Sequence, residues 1–127
     1  MDALLSAIVP FKGQQQWKER FVVHVGDNII PVKTGDIAFF HSENKSNYLT
    51  TTDGSEYIID QTMDTLEGDL DPARFFRISR SCIVSISSIK SVQKLFGGKL
   101  WITAEPRPSF DMTVARARVD DFLKWLE

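Results

Sequence analysis

The chain has few of the residues from which metal sites, disulfide frameworks and membrane anchors are built. It holds one cysteine, Cys82, and two histidines, so an internal disulfide and a cysteine-based zinc site are both excluded. No apolar run approaches roughly 18 residues, the length that a membrane-spanning helix needs. Residues 1–10 lack a basic start and carry Asp2, unlike a signal peptide. These absences favour a cytoplasmic protein without a membrane partner.

Motifs of catalysis are also missing. There is no glycine-rich phosphate loop followed by Lys-Ser/Thr, no nucleophile elbow and no His-Glu-x-x-His. His24 falls on the polar side of a strand pattern, and His41 follows an apolar run without a nearby cysteine. No pair of carboxylates is nominated for acid–base work. We therefore predict a protein that is not an enzyme, with no catalytic residue, no metal site and no cofactor.

What the chain does have is enough apolar residues for one core. Its 127 residues are 43% hydrophobic and include 9 Phe, 3 Trp and 2 Tyr, which fits a single compact domain. Residues 19–127 carry the periodic patterns of that domain. Residues 1–18 have weak periodicity and a Gln-Gln-Gln run, and we interpret them as a linker from something upstream or as an N-terminal arm.

Charge is distributed unevenly along the chain. Residues 1–73 have a net charge of −7, residues 74–118 have +7, and residues 119–127 have −2. Such asymmetry within one small domain suggests that the basic part has an anionic partner, most often a nucleic acid. The alternative is that folding intermixes the two parts so that their charges cancel on the surface.

Short strand patterns dominate the chain. Phe21, Val23 and Val25 alternate with other residues, and the apolar run 37–40 predicts a buried strand. Asp53 and Gly54 predict a hairpin turn with positive φ at both positions, and turns are also expected at residues 26–28 and 97–98. Alternation of Phe110, Met112 and Val114 predicts a further strand.

Two helices complete the predicted fold. Met63, Leu66 and Leu70 follow a helical spacing after the capping residue Thr62, and Pro72 ends that helix. A C-terminal helix is predicted by a second set of apolar residues, Val119, Phe122, Leu123 and Leu126. The fold class is therefore mostly β and antiparallel, with one short central helix and a C-terminal helix.

Three polar segments are the candidates for binding. The first loop (43–48) presents Asn44, Lys45, Ser46 and Asn47. The second loop (74–81) has arginine at every third position and ends in Ser79, Arg80 and Ser81. The third loop (113–118) presents Arg116 and Arg118 just before a helix. Asn, Lys and Arg are the side chains that read bases and phosphates. Each loop also has an interpretation without a binding partner. The first is a polar hairpin, the second holds arginines that pair with the acidic half (Arg77 above all), and the third is a solvated turn.

The chain resembles a LytTR domain, the DNA-binding output domain of bacterial response regulators. The landmarks cover residues 20–127 and occur in order: Gly-Asp (26–27), Ile-Ala-Phe-Phe (37–40), Glu-Asn-Lys (43–45), Tyr-Ile-Ile-Asp (57–60), Phe-Phe-Arg-x-x-Arg-Ser (75–81) and Val-Ala-Arg-Ala-Arg (114–118). The resemblance implies an elongated antiparallel fold of about ten short strands in consecutive small sheets. It also implies loops that enter successive major grooves of double-stranded DNA and read imperfect direct repeats.

Carried over to this chain, the resemblance places a base contact at or near Asn47, another at Arg80 between Ser79 and Ser81, and a third at Arg116. Arg118 is expected to contact phosphate. The family context implies transcriptional regulation, a phosphorelay with an upstream receiver domain and a cognate histidine kinase, and a dimer on DNA in the full-length protein. The alternative is a β-rich protein-interaction or sensory module that has lost DNA binding, since Ser79, Ser85 and Ala115 depart from the common family residues.

Overall fold

Residues 17–127 are described by the structure, a computed structural model. The interpretation of residues 1–18 as a linker or arm therefore falls outside the described residues, except for residues 17 and 18. Lys18 joins the domain: its backbone N–H donates to the Asp69 carbonyl at 2.9 Å. Within residues 17–127, no helix has the length and apolar character needed to cross a membrane.

Ten strands form three antiparallel sheets in the described part of the chain. The first sheet pairs β1 (Arg20–Val25) with β2 (Asn28–Lys33). The second has the order β5-β4-β3-β7-β6, from β3 (Ile37–Glu43), β4 (Ser46–Thr51), β5 (Glu56–Ile59), β6 (Phe75–Ser79) and β7 (Cys82–Ser85). The third has the order β10-β9-β8, from β8 (Ile89–Lys94), β9 (Leu100–Ala104) and β10 (Thr113–Val114). The predicted mostly-β fold of consecutive small sheets is confirmed.

The five-stranded sheet is covered on both faces. Successive side chains of a strand point to opposite faces, and Phe40 packs in one apolar cluster with Phe21 of β1 and Leu66. Its neighbour Phe39 packs in the other cluster with Ile102 of β9 and Phe122. A strand buried on both faces reads as an unbroken apolar run, which is why the run 37–40 correctly predicted a buried strand.

The two predicted helices are present. The first, α1 (Met63–Asp69), is capped by the Thr62 hydroxyl, which accepts from the Thr65 N–H at 3.1 Å. Leu70 already has extended backbone angles, so the helix ends before Pro72, as predicted. The second, α2 (Val119–Leu126), buries Phe122 against the five-stranded sheet.

Three local predictions need correction. Of the residues at the 53–54 turn only Gly54 has positive φ; the Asp53 carboxylate instead accepts from the Ser55 N–H at 3.0 Å. The alternating run 110–114 forms only the two-residue strand β10, preceded by a hydrogen bond from Ile102 N–H to the Met112 carbonyl at 2.8 Å. His41 lies within β3 and is buried, rather than following the strand.

Candidate nucleic-acid interface

The first loop is a tight hairpin whose tip carries a lysine. Glu43 pairs with Ser46, so Asn44 and Lys45 alone connect β3 to β4. Both have positive φ, 54° and 67°, the pair of left-handed conformations that matches the twist of flanking strands in a two-residue hairpin. Asn adopts this conformation readily, whereas Lys does so at a cost. Both side chains are exposed.

Asn47 is anchored inside the first loop. The Ser42 hydroxyl donates to its side-chain oxygen, and its amide nitrogen donates to the Gln61 carbonyl at 2.8 Å. These bonds tie the hairpin to the segment before α1. They occupy one of the two amide hydrogens of Asn47 and one acceptor site of its side-chain oxygen, so this side chain has a structural role. The base contact expected at Asn47 stays a prediction.

The second loop presents Arg80 at the sharp connection from β6 to β7. The backbone N–H of Ser81 donates to the Ser79 hydroxyl at 3.3 Å, and the two serine hydroxyls are 3.5 Å apart. Arg80 and Ser81 are exposed, and Ser79 is half-buried. The regular spacing of arginines does not make one surface, because Arg74 lies at the opposite end of β6, where its side chain packs beside Gly35.

Arg77 connects the second loop to helix α1. Its guanidinium donates to the carbonyls of Ser79 at 3.2 Å and Arg80 at 2.8 Å, and it pairs with Asp64 at 2.6 Å and Glu67 at 3.0 Å on α1. Burial lowers its pKa, but the hydrogen bonds and charges of the two carboxylates together raise the pKa above its ordinary value. The group therefore stays charged, and the expectation that Arg77 is structural is confirmed.

The third loop joins the second through its backbone. Ala115 N–H donates to the Ile78 carbonyl at 3.0 Å, and the Arg118 guanidinium donates to the Arg77 carbonyl at 3.1 Å. Arg116 and Arg118 lie in a 3-10 turn that precedes α2, and the first turn of α2 itself carries Asp120 and Asp121. Those carboxylates complement the helix dipole, whereas Arg118, the N-cap residue of α2, places a positive charge at the same end. Arg116 is exposed and Arg118 is half-buried.

Backbone hydrogen bonds connect the three loops in one series. Ser42 N–H, beside the first loop, donates to the Ser81 carbonyl of the second at 2.9 Å. Ile78 and Ala115 make the corresponding bond between the second loop and the third. The three loops therefore lie side by side along one edge of the fold, and they bring Lys45, Arg80, Arg116 and Arg118 to that edge.

Three exposed cations of this edge make no ion pair with any residue in the described part of the chain. No carboxylate of residues 17–127 is within 4 Å of Lys45, Arg80 or Arg116, whereas Arg77 and Lys90 are each in ion pairs. Their charge is therefore available to an anion that approaches the edge. Intermixing of the acidic and basic segments neutralises Arg77 but not these three side chains.

His41 and Cys82 are buried and pair with each other across β3 and β7, below the first loop. His41 is stacked between Tyr48 and Phe110, with ring centroids 5.2 and 4.5 Å away, and within the described chain its ring nitrogens make no hydrogen bond. Cys82 is buried, and burial raises the pKa of its thiol. Among residues 17–127, no group of three or more His, Cys, Asp and Glu side chains is placed to hold a metal ion.

Some residues that shape the edge gave no signal in the sequence. Gln61 and Ser42 position Asn47, and Gly98 lies directly under the Arg116 side chain. Each of these contacts joins positions that are separated along the chain and carry no motif. Only the Gly-Gly pair at 97–98, placed inside the basic segment, could have directed attention to the loop beside Arg116.

Fold and interface together define a class of protein: an antiparallel β domain with cationic loops joined along one edge. The sequence model of the LytTr DNA-binding domain family matches residues 27–127. The chain belongs to this family.

Two known proteins illustrate the relationship. An uncharacterized response regulatory protein from Vibrio cholerae is 30% identical over 80 residues, which is 61% of this chain and 31% of that protein. The match thus spans about a third of the relative's length. A solved LytTr DNA-binding domain from Bacillus cereus superimposes with a TM-score of 0.77 at 19% identity, covering 86% of this chain and 97% of that chain. That likeness concerns the fold alone.

Proposed function

We propose that this domain binds double-stranded DNA in a sequence-specific manner and acts in transcriptional regulation. The observation that carries the proposal is a set of three exposed cations, Lys45, Arg80 and Arg116, on loops joined by hydrogen bonds along one edge. Within residues 17–127 these cations have no carboxylate partner. Phosphate attraction supplies affinity, and side chains that reach base edges supply specificity. Both kinds of group are present on this edge.

The proposed roles follow from side-chain chemistry. Arg80 and Arg116 have planar guanidinium groups, which suit bidentate contacts to the O6 and N7 atoms of guanine in the major groove. Lys45 suits phosphate as a point charge. Arg118, with one nitrogen held by the Arg77 carbonyl, has donors left for a phosphate. Asn47 keeps one amide hydrogen for a base while it holds the first loop.

The context of the whole protein is part of the proposal. Response regulators couple such a domain to a receiver that a histidine kinase phosphorylates, and the Vibrio relative is named as a response regulatory protein. We propose the same arrangement here, with two copies on imperfect direct repeats and a cytoplasmic location that follows from a DNA partner.

The proposal is tested by selecting duplexes from a randomised pool with the full chain and sequencing the bound fraction. An enriched direct repeat, whose log affinity falls linearly with log salt, is the expected result. Arg80→Ala and Arg116→Ala should each cost about 1–3 kcal/mol and relax preference at a distinct position.

Arg74→Ala is the matched control, because this exposed arginine lies at the far end of β6. Absence of enrichment from a folded chain would overturn the proposal and favour the protein-interaction module. Equal losses from Arg74→Ala and Arg80→Ala would show a general charge effect without a defined reading edge.

A further inference from the structure

The loop between β8 and β9 carries a phenylalanine whose side chain is fully exposed. Phe96 is fully exposed, at 104% of its reference area, and Leu95 beside it is 37% exposed. Every other phenylalanine in residues 17–127 is buried or half-buried. A large apolar ring held in water at the tip of a loop is a candidate contact for a partner.

The loop that holds Phe96 is closed and basic. Leu95 N–H donates to the Lys99 carbonyl at 2.9 Å, and Gly97 and Gly98 have φ of 88° and 83°, a conformation that side chains disfavour. Lys94 and Lys99 flank the tip and are exposed, and residues 90–104 contain no Asp or Glu. The ring is therefore presented between two cations.

The same loop lies against the third loop of the interface. Leu100 pairs with Lys94 on one side and with Val114 on the other, so the β8–β9 loop and Arg116 emerge from the same end of the three-stranded sheet. The Arg116 side chain crosses Gly98: a Cβ atom on that glycine would lie 3.4 Å from the Arg116 Nε and 3.5 Å from its Cγ. Phe96 and its lysines thus extend the cationic edge beyond Arg116.

We propose that the β8–β9 loop is a further DNA contact, in which Lys94 and Lys99 bind phosphates that flank the Arg116 contact and the Phe96 ring packs on the deoxyribose of the same backbone stretch. This inference rests on the proposed DNA-binding function. Charge complementarity selects DNA as the partner, because the loop that holds the ring carries two exposed lysines and lies against Arg116. These cations continue the series Lys45, Arg80 and Arg116. The apolar faces of sugars supply a surface for the ring between the phosphates.

The two kinds of contact have different salt signatures. Burial of an apolar ring releases no counterions, whereas each lysine on a phosphate does. In the full chain, bound to a duplex selected from the randomised pool, Phe96→Ala should weaken affinity about tenfold with an unchanged salt slope. Lys94→Gln and Lys99→Gln should each lower the slope by about one.

Matched controls come from the same protein. Ile29→Ala removes an apolar side chain that is 66% exposed on the β1–β2 sheet. Lys90→Gln removes a β8 lysine that pairs with Glu105 at 3.2 Å. Neither should change affinity or slope. Shortening the selected duplex from one end should remove the backbone stretch that Lys94, Phe96 and Lys99 contact. The parent should then lose more affinity than Phe96→Ala, so that the two bind equally.

The outcomes separate this inference from the function on which it rests. If the parent binds the selected duplex and Arg116→Ala weakens it, but the three loop variants match the parent, the β8–β9 contact is refuted and DNA binding stands. If no duplex is selected at all, the proposed DNA-binding function itself is refuted, and the β8–β9 contact with it. If Phe96→Ala weakens only cooperative binding to two repeats, and not to one, the ring contacts a second copy of the chain and the DNA contact is refuted.

Discussion

The guanidinium of Arg77 donates a hydrogen bond to the backbone carbonyl of Arg80 at 2.8 Å, while its other donors bind Asp64 and Glu67 on α1. One half-buried arginine thus sets the position of an exposed one. Arg118 extends the same relationship to the third loop by donating to the Arg77 carbonyl. The position of the candidate reading residue Arg80 therefore depends on a helix with no residue at the interface.

Arg77→Lys tests this positioning. Lysine keeps the charge but lacks the planar guanidinium with which Arg77 reaches two carbonyls and two carboxylates. The substitution should therefore lower the free energy of unfolding by about 1–3 kcal/mol. Affinity for the selected duplex should also fall, because Arg80 loses its fixed position. Urea unfolding and DNA titration measure the two effects. Lower stability with unchanged affinity would show that DNA orders the second loop without Arg77.

Asn47 combines an anchor with a candidate contact, and its variants separate the two roles. Asn47→Ala leaves the Gln61 carbonyl and the Ser42 hydroxyl without their partner and should cost about 1–2 kcal/mol. Ser42→Ala removes one anchoring bond but no group that reaches DNA, so it should lower stability with little change in affinity at temperatures where both variants are folded. If the two variants lose affinity equally, Asn47 acts only as an anchor.

Replacing Lys45 by glycine should raise the stability of the domain and lower its affinity for DNA. Its φ of 67° strains a side-chain-bearing residue, and Lys45→Gly should relieve that strain and stabilise the domain by about 0.5–1 kcal/mol. The same change removes a phosphate contact, so affinity should fall and the salt slope should drop by about one. Lys45→Gln is the control: it removes the charge, keeps the strain, and should weaken binding without raising the unfolding midpoint.

The fold was largely predictable because its signals are local. Alternation across β1, the apolar run of β3 and the cap at Thr62 are patterns within a few residues, and each formed the expected element. The candidate loops were predictable because Asn, Lys and Arg stand out in turns. The bonds that arrange them were not: Arg118 reaches Arg77 across 41 positions and Asn47 reaches Gln61 across 14. Such contacts depend on which strands become neighbours, and no periodicity encodes that.

Cys82 should be unreactive until the domain unfolds. It faces the apolar cluster that contains Phe122, and burial raises the pKa of its thiol well above the ordinary value, so thiolate, the reactive form, is absent at pH 8. Modification by a thiol reagent should therefore follow the urea unfolding curve.

Because the folded thiol has the higher pKa, its stabilising effect is complete below the pKa of the unfolded thiol, about 8.5, and is lost as the pH rises above it. The stability advantage of the parent over Cys82→Ala should accordingly shrink between pH 7 and pH 10. Rapid labelling of the native domain would contradict this account of the β7 core.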